Sequence, residues 1–91
     1  MFRDEIQKML DERYEFYRLT PKEGTQVEEF VSRHFRKLIG KIFSPTKSYD
    51  YLILALEKND SDEKQKEEII DVIKEKFHIE KFALSDNEGN Y

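Results

Sequence analysis

Five basic residues stand close together with no acidic neighbour: Arg33, Arg36, Lys37, Lys41 and Lys47. Guanidinium and ammonium groups at this density form a footprint for anionic oxygen, whether phosphate or carboxylate. No acidic residue lies between Glu29 and Asp50, so this stretch carries +5. The whole chain carries −4, and the remainder therefore carries −9, the difference of the two. If the stretch is helical, Arg33, Lys37 and Lys41 recur every fourth residue on one face, with Arg36 beside them. At about 100° per residue, that group lies opposite Val31, Leu38 and Ile42.

Two functions suit such a stripe. It can meet the phosphates of a nucleic acid, with Ser44, Lys47 and Ser48 adding donors, and salt would then weaken the contact. It can equally meet an acidic protein, since complementary charge steers association and selects partners. A pI of 5.2 weighs against nucleic acid, and no helix-turn-helix, RRM or KH signature appears. The expected function is therefore a small, non-enzymatic interaction or regulatory domain with a protein partner. Nucleic-acid-backbone binding through the second helix is the alternative. The plain reading of the stripe is a solvated face that pairs with the acidic residues of a later helix, among them Glu63, Glu67, Asp71 and Glu75.

Other residues with catalytic potential do not assemble into a motif. His34 falls on the apolar side of a predicted helix, where a packed histidine is expected, and His78 is expected as a helix-end residue. They stand 44 positions apart and have no ligand spacing. Asp50, Glu57 and Lys58 bracket a candidate strand and faintly suggest a metal-dependent nuclease. Adjacent Glu57 and Lys58, however, point to opposite faces of a strand. Asp60 and Asp62 occupy the first and third places of a calcium-type loop, but the sixth place is Gln65 and the twelfth is Asp71. Gly24, Gly40 and Gly89 are too dispersed to cradle a phosphate. There is no cysteine, hence no disulfide and no thiolate site. No catalytic residue, metal ligand or cofactor is assigned.

The elements that would carry these residues follow from periodicity. Phe2, Ile6, Met9, Leu10, Tyr14 and Tyr17 predict a helix over 2–19. That helix puts Tyr14 and Tyr17 near the core, Phe16 at its edge and Arg13 within the apolar arc. Thr25-Gln26-Val27-Glu28 has the form of a capping box, opening a second helix that runs to about residue 43 and ends at Ser44-Pro45. Its apolar face is Val27, Val31, His34, Phe35, Leu38, Ile39 and Ile42. The apolar run 51–56 predicts a strand over 49–57. The Asn59–Asp62 turn predicts a helix cap, followed by an amphipathic helix over 62–77 and a strand over 79–84. Strand, helix and strand in succession form a βαβ pattern.

The expected architecture is a single compact α+β domain over 1–91, in the order α-α-β-α-β, with 85–91 a frayed tail. An all-helical bundle is the alternative. Two strands make a poor sheet, so helices must cover it, or a second copy must complete it through an open edge. Charged residues make up 40% and no apolar run reaches the roughly 18 residues of a membrane span. A soluble, cytoplasmic protein without membrane contact is expected.

Overall fold

The computed structural model describes residues 2–59 and 62–85. The elements are α1 (Phe2–Arg13), β1 (Tyr14–Pro21), α2 (Val27–Arg33), α3 (Phe35–Leu38), β2 (Ile42–Phe43), β3 (Leu52–Glu57), α4 (Glu63–Lys76) and β4 (Phe77–Phe82). The four strands form one antiparallel sheet in the order β2-β3-β1-β4. The α+β class holds, with helices packed on a sheet, and the all-helical alternative does not. Among the described residues no helix is long and apolar enough to cross a membrane. The expected tail, apart from Ser85, and the Asp60-Ser61 part of the turn lie outside the described residues.

The sheet has twice the predicted number of strands, and the first addition corrects the reading of 14–19. That segment is not the end of a helix but β1, the inner strand paired with both β3 and β4. Tyr14, Phe16, Tyr17 and Thr20 are strand-favouring residues. Leu19 lies opposite Leu52 on one side and Ile79 on the other, and is fully buried. Pairing along both edges over Phe16–Leu19 supplies partners for the backbone groups at the centre of the strand, and a helical turn at the surface would not match it in buried area. Tyr14 and Tyr17 consequently point to opposite faces, and Phe16 is buried rather than peripheral.

The second predicted helix is also corrected. It begins at Val27 after Gln26, with no side-chain cap, breaks at His34 and ends at Leu38. Gly40 then adopts φ +73°, the left-handed conformation that terminates helices. The chain leaves it extended, and Ile42 and Phe43 pair with Leu54 and Ile53 as the short edge strand β2. The later elements agree better with expectation. The 49–57 segment is a strand over Leu52–Glu57, and α4 starts where the Asp62 side chain accepts from the Gln65 N–H at 3.0 Å. His78 is corrected: it sits inside β4, which begins at Phe77, rather than at a left-handed helix end. β3 and β4 run in the same direction, as a βαβ unit requires, but β1 lies between them in a split arrangement.

The core lies on one face of the sheet. Leu19 of β1, Leu52, Leu54 and Leu56 of β3 and Phe77 of β4 meet Phe30, Leu38, Ile69 and Ile73 of the helices. The C-terminus of α4 is tied down as well: Lys22 Nζ donates to the Lys74 carbonyl at 2.9 Å, and Thr25 Oγ1 to that of Lys76 at 3.0 Å. The molecule measures 40 × 32 × 17 Å. The second face of the sheet carries Phe16, Arg18, Tyr51, Ile53, His78 and Glu80, with the Arg18 guanidinium 4.5 Å from the Tyr51 ring centroid.

Candidate functional site

The five basic residues lie on four different pieces of chain. Arg33 ends α2, Arg36 and Lys37 belong to the single turn of α3, Lys41 precedes β2, and Lys47 lies in the loop from β2 to β3. The break at His34 and the left-handed Gly40 therefore prevent the expected single helical stripe. The group borders the β2 edge of the sheet instead: the Lys41 carbonyl accepts the Ala55 N–H at 2.8 Å, continuing the β2–β3 ladder. Arg33 pairs with Glu29 at 3.0 Å, but both side chains are well exposed and such a pair is worth at most about 1 kcal/mol. Among the described residues, Arg36, Lys37, Lys41 and Lys47 make no ion pair. No acidic residue of α4 lies within ion-pair distance of them, so of the plain reading the solvated surface stands and the pairing with α4 does not.

Between these cations stand three side chains absent from the sequence reading of the site. Phe35 is 55% exposed, Ile39 56% and Phe43 53%. A continuous helix would turn Phe35 and Ile39 toward the core. The break re-aims α3 so that only Leu38 is buried. Phe43 follows Ile42 in β2, and strand alternation sends Ile42 toward the core and Phe43 to the other side. The helical frame read from the sequence assigns Phe35 and Ile39 to the interior and leaves Phe43 out of that face. Beside Phe35, an open groove runs between α2 and β2, lined by Val31, Ile42, Tyr49 and Leu52 and edged by Glu28 and Ser44.

The remaining candidates take structural positions. The His34 ring lies 4.7 Å from that of Phe30, which in turn meets Phe77 edge-on at 5.0 Å, so His34 packs as expected. Asp50 and Glu57 flank β3 at opposite ends, more than about 20 Å apart along an extended strand. Among the described residues no three His, Asp or Glu side chains gather as a metal site would need. Lys66 is buried on α4, with its ammonium 3.9 Å from Glu63. It lines a cavity of about 230 Å³ with Tyr14, Lys41 and Glu57. A long aliphatic stem packed in the core with its charge led outward accounts for that placement.

Among the described residues, two titratable groups depart from ordinary behaviour. Burial acts to raise the Asp11 carboxyl, but the backbone N–H groups of Ser85 and Leu84, the Ser85 hydroxyl and the Lys58 charge outweigh it, and its pKa is lowered. Tyr17 is pushed up to about 12 by burial, reinforced by its hydrogen bond to Glu15 and that carboxylate's charge. Neither lies on the basic and apolar surface. No protein-family model matches the chain, and comparison with curated proteins and with solved structures finds no match.

Proposed function

We propose that this chain is a small interaction domain that binds an acidic, amphipathic protein segment through residues 33–47, without chemistry of its own. One observation carries the reading: Phe35, Ile39 and Phe43 are each more than half exposed in the same short segment as Arg36, Lys37, Lys41 and Lys47, which make no ion pair among the described residues. Exposed apolar residues occurring singly need no explanation, but three within nine positions, bordered by Arg36, Lys37, Lys41 and Lys47, supply both halves of a recognition surface. The apolar side chains would provide burial, and the cations would fix orientation and speed encounter. The groove beside Phe35 is open enough to receive a side chain of the partner.

The same surface favours one second reading. Aromatic rings interleaved with unpaired cations also suit single-stranded nucleic acid, whose bases stack while its phosphates are neutralised. One pair of measurements separates the two. A photo-crosslinking residue at position 39 should capture a protein in nuclease-treated cells, and the combined changes Arg36→Glu and Lys37→Glu should abolish capture. Fluorescence anisotropy with labelled DNA and RNA at low salt should show no binding. Steeply salt-sensitive binding that the same double variant removes would replace the protein reading with the nucleic-acid one.

A further inference from the structure

The outer strand β4 has a backbone pattern that specifies what can pair with it. The Lys22 N–H donates to the Lys76 carbonyl at 2.9 Å, one step beyond the Pro21–Phe77 and Thr20–His78 pairs of the β1–β4 register. Hydrogen-bonded and non-bonded pairs alternate along an antiparallel ladder. Residues 78, 80 and 82 therefore turn their backbone groups toward β1, and Phe77, Ile79 and Lys81 turn theirs to the open edge. The opposite side of the sheet has the matching parity, since the Ala55 N–H faces outward to Lys41. The Phe77 N–H is already held by the Ile73 carbonyl at the end of α4. What remains is a row of groups with no partner strand among the described residues: the N–H of Ile79 and Lys81, and the carbonyls of Phe77, Ile79 and Lys81.

We propose that two copies of this chain pair antiparallel, β4 to β4, about a twofold axis at Ile79, joining two four-stranded sheets into one of eight. Symmetry and charge select the register. A twofold axis perpendicular to the sheet requires one residue to face itself, and residues opposite each other share a face. Centring on Glu80 sets two carboxylates against each other, and centring on Lys81 sets two ammonium groups together; like charges directly opposite are unfavourable. Centring on His78 leaves only the two Ile79 N–H groups with acceptors. Centring on Ile79 gives every open N–H an acceptor: each Ile79 N–H meets the other Ile79 carbonyl, and each Lys81 N–H meets a Phe77 carbonyl, while the Lys81 carbonyl stays open to water because the facing Phe77 N–H is held by Ile73. It also sets His78 opposite the second copy's Glu80 twice, in the non-bonded pairs where side chains approach most closely. His78 and Glu80 are both exposed and lie on the face away from the core. This association is independent of the 33–47 surface. Four backbone bonds and one isoleucine pair bury less than a standard interface, so it is weak and concentration-dependent.

Sedimentation of the intact chain from micromolar to millimolar concentration tests the idea. The expected result is a monomer–dimer equilibrium reaching dimer at the upper end. Lys81→Pro removes an outward N–H while sparing the ladder to β1, so the variant should keep its circular dichroism and stay monomeric. His78→Glu should weaken the dimer about tenfold by setting carboxylates opposite, and adding Glu80→Lys should restore it. A monomer at millimolar concentration overturns the proposal. So does a dimer that neither His78→Glu nor a folded Lys81→Pro variant disturbs.

Discussion

Asp11 holds α1 to the chain beyond β4. Its two carboxylate oxygens accept from the Leu84 and Ser85 N–H groups at 2.8 and 2.9 Å, joining residues more than 70 positions apart. Hydrogen bonds to a charged group are worth about 1.5–3 kcal/mol each at best, and Asp11→Ala should destabilise the protein by roughly that amount in urea unfolding. The sign with pH follows from the lowered pKa. Stabilisation from Asp11 is complete above the ordinary aspartate value and disappears as pH falls through its folded-state value, so Asp11→Asn should flatten the acid limb of the stability curve. Tyr17 behaves oppositely at the alkaline end. Its raised pKa means its contribution is complete below about 10 and is lost as pH rises toward 12. Ultraviolet titration should show one tyrosine ionising last, and Tyr17→Phe should remove that step.

At the scale of elements, the decisive feature is the interruption between α2 and β2. Gly40 sits at φ +73°, and a β-carbon there would meet nothing within 4 Å. The cost of Gly40→Ala is therefore torsional, not steric, and should be about 1 kcal/mol by thermal unfolding. The consequence reaches the candidate site, because this turn separates α3 from β2 and leaves Ile39 and Phe43 outward. A variant that lengthened α3 through position 40 would bury or displace both, and should lose partner capture while retaining α4 and the inner strands.

At the scale of the whole molecule, stability and binding reside in different places. The buried cluster is built from β1, β3, β4 and helices α2 to α4, and no residue of α1 from Asp4 onward belongs to it. Leu54→Ala, in the fully buried middle of β3, should cost about 2–5 kcal/mol. Ile6→Ala and Met9→Ala, on an exposed part of α1, should each stay within about 0.5 kcal/mol. The Arg36→Glu and Lys37→Glu double variant belongs with the second group: both side chains are exposed and unpaired, so urea unfolding should change little while binding is lost. The radius of gyration, 13.8 Å, exceeds the roughly 12 Å expected of a compact chain this long, in keeping with a flat body.

Local signals in the sequence determined α4 with its Asp62 cap and the isolation of a +5 segment within an acidic chain, and they favoured a strand within 49–57, and with it the α+β class, over a short helix. Each follows from periodicity, capping chemistry or charge, which act over a few neighbouring residues. Tertiary structure decided the rest. Tyr14–Pro21 carries apolar residues that fit a helical period as well as a strand; pairing with both β3 and β4, more than 30 positions away along the chain, settles it as a strand. Phe35 and Ile39 fit the buried side of a helix, and only the break at His34 and the turn at Gly40 expose them; Phe43 is turned outward by strand alternation once β2 docks on β3. Helical and strand periods overlap in short apolar runs, and the balance falls to whichever conformation buries more surface against partners distant in the chain.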